Sequence, residues 1–161
     1  MFKIRKGIKD DLPQVLSLIK ELALFERAPH EVTNTLESME QDGFGPHPIY
    51  MLWVAEKNNT IVGIAICYIR YSTWKGQMLY LEDIIVTESE RGQKIGKALM
   101  ETVIRFAKEN NYKGLLWQVL DWNQPAIQFY KKFNAQFDGE WFNVKLSHEQ
   151  LQQINEPDAS I

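Results

Sequence analysis

The chain predicts an α/β fold: a mixed β-sheet with helices packed against it. Three observations carry this. Strand-like and helix-like stretches alternate through the second half, the pattern of a sheet that acquires parallel neighbours. An apolar strand, Met78–Val86, runs through a short polar turn into an amphipathic helix, Ile95–Glu109. At 161 residues and 45% apolar, the chain is long enough for one domain, residues 1–161, with a core of its own.

Taken in order, Phe2–Arg5 reads as a short strand. Asp10 and Asp11 open a helix with Pro13 in its first turn, where a missing N–H costs little. Leu12, Val15, Leu16, Ile19, Leu22 and Ala23 form its apolar stripe, and it ends near Arg27, before Pro29. Thr33–Gln41 is a shorter helix that Asp42-Gly43 is expected to stop, and residues 43–48, rich in glycine and proline, form a loop. Ile49–Glu56 and Ile61–Tyr71 flank Lys57-Asn-Asn-Thr60 and make a hairpin. Leu115–Val119 is a short buried strand. Pro125–Phe133 is a helix with proline near its start, and Asn134 closes it in the left-handed conformation. Phe137–Leu146 is expected as a final strand, Ser147–Ile154 as a weak helix, and Asn155–Ile161 as a frayed end.

Composition excludes several classes. A net charge of −3 argues against nucleic acid as a partner. No run reaches the roughly 20 apolar residues of a membrane span, and the N-terminus does not read as a signal peptide. The single cysteine, Cys67, allows no intrachain disulfide and fits a cytoplasmic protein. It lies mid-strand among apolar residues, as a core residue rather than a nucleophile. His30, His47 and His148 have no metal-ligand spacing, so no metal is expected.

The strand Tyr80-Leu-Glu-Asp-Ile-Ile-Val86 and the turn Arg91-Gly-Gln-Lys-Ile-Gly-Lys-Ala98 aim a helix N-terminus and several N–H groups at one spot, a way to hold a pyrophosphate. It is not the nucleotide-triphosphate loop: Gly92 to Gly96 is one residue too short, and Ala98 stands where a metal-binding hydroxyl is needed. The dinucleotide pattern G-x-G-x-x-G is also absent. The turn matches R-x-x-G-x-G, with Lys94 in place of a usual glycine, and so resembles the coenzyme A loop of the GNAT family of N-acetyltransferases. Leu120-Asp-Trp-Asn-Gln-Pro-Ala-Ile-Gln-Phe-Tyr130 is similar to a later segment of that family. Leu18–Glu26, Asp42–Gly45, Tyr71-Ser-Thr-Trp-Lys-Gly76 and Tyr80–Asp83 resemble its diamine branch, the spermidine/spermine and thialysine acetyltransferases. The likeness runs to about Trp141.

The resemblance implies a central twisted sheet in which two parallel strands, Met78–Val86 and Leu115–Val119, splay apart to admit a pantetheine arm. It implies acetyl-CoA as co-substrate, a small-molecule amine as acceptor, and a homodimer. A protonated amine, with a pKa near about 10.4, must lose a proton before attack. An oxyanion must then be stabilised, and the departing thiolate gains from a proton. Glu82 is the candidate base; taken alone, Glu82 and Asp83 also read as ordinary strand-end charges. By alternation along a strand Asp83 should face away from Glu82, recruiting a cationic substrate or bracing the sheet. Tyr130 is the candidate acid, its other reading being helix packing. Asn123 and Ala126 are implied cofactor contacts, with an N-cap as the plainer role of Asn123. The N–H groups of Ile84, Ile85 and Val86 are the expected oxyanion donors. Gly92, Gln93, Lys94, Ile95, Gly96 and Lys97 would hold the pyrophosphate, with charge from Arg91 and Lys97. Glu26 would meet a distal amine, or is a helix-surface acid. Trp74 would wall a cationic chain, or pack under a loop. Ser72 stands where polyamine-preferring relatives carry an acid, and so points to the thialysine type. Peptide N-acetylation and a non-catalytic acyl-CoA-binding module are the alternative functions.

Overall fold

The computed structural model describes residues 1–153. They fall into two compact units, Met1–Gln118 and a second beginning at Val119. The first unit holds the sheet. Its strands β1 (Lys3–Lys6), β2 (Met51–Lys57), β3 (Thr60–Ser72), β4 (Gly76–Val86) and β5 (Leu115–Leu116) lie side by side in chain order. The first four pair antiparallel and β5 pairs parallel to β4, which makes the mixed sheet.

Local chemistry explains the connections. Lys57 pairs with Thr60, leaving Asn58 and Asn59 as a two-residue loop. Both have positive φ, +50° and +60°, which asparagine tolerates and which matches the twist of the flanking strands. Helix α1 (Leu12–Phe25) carries Pro13 in its first turn. Before it, Asp11 accepts two bonds from Arg5, at 2.7 and 2.8 Å, and one from the Ile8 N–H at 2.9 Å. These partners let a carboxylate only 5% exposed stay charged. Arg5, then the Ile8 N–H, holds it below the usual range against the opposing pull of burial.

Helix α2 spans Leu36–Phe44 rather than Thr33–Gln41. Its start is set by Thr35, whose Oγ1 accepts from the Ser38 N–H at 3.1 Å. Gly43 does not stop it. The glycine lies in the last turn, where the Tyr50 ring occupies the place a Cβ would take. The Tyr50 hydroxyl donates to the Met39 carbonyl at 2.6 Å.

Leu12, Val15 and Leu18 of α1 join Met39, Leu52, Val54, Ile64, Ile66 and Ile85 in one apolar cluster. Helix α3 (Ile95–Glu109) buries Leu99, Met100 and Val103 completely. Its Phe106 meets the Trp53 ring edge-on, with centroids 4.9 Å apart.

Strand β5 is shorter than expected. Pairing with β4 stops at Tyr80–Leu116, and Trp117–Val119 leave the ladder. The second unit carries α4 (Gln124–Lys131) and α5 (His148–Gln153). Asn134 has φ +56°, the left-handed closing residue expected after α4. Ser147 and Gln150 cap α5 reciprocally, at 2.8 and 3.2 Å. Ile154 and the expected fraying of Asn155–Ile161 lie outside the described residues. The final strand expected at Phe137–Leu146 does not form. Its apolar alternation is a side-chain pattern, but a strand is made by backbone pairing, and Trp141, Phe142 and Val144 are instead exposed.

Candidate active site

One extra residue organises β4. Leu81 pairs with Cys67 and Asp83 with Ile66, so Glu82 has no opposite number and forms a bulge. Backbone direction confirms the shift. The Leu79 N–H donates to Gly114 at 2.9 Å, toward β5, whereas the Thr87 N–H donates to Val62 at 3.0 Å, toward β3. In an unbroken strand two odd-numbered residues would point the same way. Beyond the bulge, therefore, Ile85 turns its N–H into the β3 ladder, and Ile84 and Val86 turn theirs to the outer edge. No partner strand lies along that edge past Tyr80 among the described residues. Of the three expected oxyanion donors, Ile84 and Val86 are available and Ile85 is not.

The bulge also overturns the expectation that Asp83 faces away from Glu82. Asp83 shares a register face with Ile85 and Ile66, the face covered by α1. Glu82 acts on Tyr68 and Tyr80, on that same face, whose rings stack 5.1 Å apart. Burial first, then Glu82, then Glu26, pushes the Asp83 carboxyl up to about 6. Glu26 caps the C-terminus of α1, and partial burial raises its carboxyl as well. Glu26, Glu82 and Asp83 thus form one negative cluster, drawn from a helix end and a bulged strand.

The turn after β4 supplies the opposite chemistry. Gly92 has φ +80°, with open space where a side chain would project. Lys94 has φ +65°, the left-handed conformation that makes glycine usual at this place. Lys94 sits at the N-cap of α3 and offers no side-chain oxygen to it. The first helical bond runs from Ala98 to the Lys94 carbonyl, at 3.0 Å, so the N–H groups of Ile95, Gly96 and Lys97 precede the helix ladder. Ile95 itself is buried and anchors the helix, while Gly92, Gln93, Lys94 and Lys97 are exposed. This donor set, at the positive end of a helix dipole, fits a pyrophosphate.

Arg91 is more tied down than its sequence suggested. Its Nε donates to the Val86 carbonyl at 3.0 Å, and its guanidinium lies 5.6 Å over the Phe25 ring. Glu21 accepts from the Thr87 hydroxyl at 2.8 Å and the Glu88 N–H at 2.9 Å, so α1 holds the start of the turn. The reading from sequence missed Glu21 and Phe25, although their four-residue spacing on one helix places both toward the same neighbour. Lys97 makes a 3.4 Å ion pair with Glu101.

Trp74 is not brought to the acidic cluster. It is 88% exposed in the β3–β4 turn, and the six residue steps from Gly76 to Glu82 span about 20 Å of strand. Ser72 closes that turn, its hydroxyl accepting from the Trp74 and Lys75 N–H groups at 3.3 and 3.2 Å. In the second unit, Asn123 is the N-cap of α4, its Oδ1 accepting from the Ala126 N–H at 3.3 Å. Tyr130 is buried on the same helix with its ring 5.3 Å from that of Phe129.

The chain is similar to several known proteins. Residues 14–135 match the model of the Acetyltransferase (GNAT) family. The chain is 33% identical over 163 aligned positions to thialysine N-epsilon-acetyltransferase of Mus musculus, covering 94% of this chain and 96% of that one. It is 38% identical over 141 positions to the protein of that name from Bos taurus, covering 83% of each. An aminoglycoside acetyltransferase from an uncultured soil metagenomic sample, crystallised with trehalose, superposes with a TM-score of 0.76 at 21% identity, covering 91% of this chain and 97% of that one. That likeness is one of fold. By the family match over residues 14–135 and these identities, the chain, with its mixed sheet and a helix following β4, belongs to the GNAT family of acetyltransferases.

Proposed function

We propose that the protein transfers an acetyl group from acetyl-CoA to a primary amine of a small cationic molecule, a diamine or a thialysine-like amino acid. The observation that carries this is the carboxylate cluster of Glu26, Glu82 and Asp83, drawn from the end of α1 and the bulge of β4, on a strand that leads into a helix N-terminus suited to an anion. The names of the two mammalian relatives support the thialysine-like class.

Acetyl-CoA supplies the activated acyl thioester. Its pyrophosphate would rest on the N–H groups of Gly92 to Lys97, with Arg91 and Lys97 adding charge. Asn123 and Ala126 would flank the pantetheine or acetyl group. The cluster draws in the ammonium group, and Glu82, with Asp83 beside it, takes the proton that frees the nitrogen lone pair. Asp83 is ionised above about pH 6, so it accepts charge at neutral pH without holding a proton. The N–H groups of Ile84 and Val86 receive the developing oxyanion. Tyr130 returns a proton to the leaving sulfur. Transfer is direct: Cys67 is fully buried and its thiol is pushed up to about 12 by burial, which disarms it as a nucleophile. A homodimer in the cytoplasm completes the reading. It rests on the family's habit and on the single buried cysteine.

The test is CoA thiol release from acetyl-CoA with spermidine, putrescine, thialysine, lysine and a lysine-bearing peptide. Release with one small-amine class, reduced about 10²-fold or more by Tyr130→Phe, is the expected result. Release with the peptide alone would move the acceptor class to proteins. Acetyl-CoA binding without release from any of them would sink the enzymatic reading.

A further inference from the structure

Behind the phosphate-binding turn, three side chains outside the proposed chemistry close a ring. Lys57, the last residue of β2, places Nζ 2.6 Å from Glu90 Oε2 and donates to Gln93 Oε1 at 3.2 Å. Gln93 Nε2 donates to the same Glu90 oxygen at 2.6 Å. Both ends of the Gln93 amide are therefore engaged, so its direction is set. The ion pair is largely covered, at 24% and 21% exposure for Lys57 and Glu90. Lys57 is itself held in the β2–β3 ladder by its pairing with Thr60 across the Asn58–Asn59 turn, which ties the ring to the sheet.

The next residue after Gln93 is Lys94, with φ +65°. A glycine there would adopt this conformation freely, but a lysine is crowded by its own Cβ and needs an external restraint. Released, it would relax toward right-handed or extended backbone and rotate the peptide planes that begin α3. We propose that the Lys57–Glu90–Gln93 ring is a positioning clamp that holds Lys94 left-handed and so keeps the N–H groups of Ile95, Gly96 and Lys97 aimed at the cofactor. The clamp rests on the reading of residues 92–97 as a pyrophosphate cradle. It compensates for the lysine that replaces the usual glycine. An ion pair near the surface contributes little to global stability, so its loss should be felt in cofactor binding and not in folding.

The experiment is calorimetric titration of CoA into wild type, Lys57→Met, Lys57→Arg and Glu90→Gln, each also with Lys94→Gly. Melting temperature and kcat at saturating acetyl-CoA are measured in parallel. Lys57→Met and Glu90→Gln should weaken CoA about five- to tenfold, with kcat within about twofold and the melting point within about 2 °C. Lys57→Arg should keep wild-type affinity. In the Lys94→Gly background, where the turn needs no restraint, the loss should shrink to under about twofold. Unchanged CoA affinity in both Lys57→Met and Glu90→Gln overturns the clamp. So does an equal loss in the two backgrounds, because the ring would then act by some route other than Lys94. A wild-type protein that does not bind CoA at all overturns the cradle reading itself.

Discussion

Asp83 shows how a single side chain can be placed against folding in order to serve chemistry. Its carboxyl titrates near 6 because burial and two neighbouring acids oppose its charge. A carboxyl raised in the folded state makes its ionised form a cost, so stability should fall as pH rises from about 4 through about 6. Activity should run the other way, rising as Asp83 ionises. Asp83→Asn is expected to stabilise the protein by roughly 1–2 kcal/mol at pH 7.5, while lowering kcat/KM at least tenfold. Denaturant unfolding at pH 5 and 7.5, paired with initial rates, checks both halves, and a destabilised variant would refute the electrostatic account. The acidic pair was legible in the sequence, but its orientation was not. Strict alternation sends Asp83 away from Glu82, and nothing in Leu-Glu-Asp-Ile announces that one residue drops out of the ladder. Lys94 was legible as a departure, yet its left-handed backbone explains why glycine is usual there.

Elements were read well where side-chain period and local chemistry agree. Helix α3 runs over the predicted Ile95–Glu109 because its apolar stripe is unbroken and fits one face of the sheet. The asparagine pair between β2 and β3 made its own hairpin. Errors came where a distant partner decides. Gly43 reads as a helix stop, but it lies within the last turn of α2, where the Tyr50 ring leaves no room for a Cβ. Gly43→Ala should therefore destabilise by about 1–3 kcal/mol, despite the better helix propensity of alanine. A thermal melt that rises instead would show that the Tyr50 ring moves aside freely. The missing strand at Phe137–Leu146 carries the same lesson, since β-propensity describes a fit to neighbours and supplies none. Strand β5 stops early for a related reason: its ladder ends where the bulge turns β4 away.

Across the whole molecule, the fold class and the strand–turn–helix from β4 to α3 were readable, because each follows from contiguous stretches of chain. The acidic cluster was harder, since Glu26 and Asp83 lie far apart in sequence and only the packing of α1 on the sheet unites them. Cys67, next to Ile66 on β3 and so on the other face of the sheet, is fully buried, and burial pushes its thiol up to about 12. Incubation with acetyl-CoA alone should leave no acetyl adduct on the protein by intact mass. Alkylation of Cys67 should proceed only as fast as the structure opens, accelerating with denaturant. A stoichiometric adduct on Cys67 would replace direct transfer with a two-step route.

The bulge in β4 has a meaning for chain length. Glu82 is a residue with no opposite number, so its removal would bring Leu81 and Asp83 into consecutive register with Cys67 and Ile66 and leave every other pair as it stands. A shortened chain lacking only Glu82 is expected to fold with a straighter strand and to have lost the acid proposed as base. Circular dichroism close to wild type with turnover at background would mark this position as an insertion kept for chemistry, the one place in the strand where the molecule is a residue longer than its architecture needs.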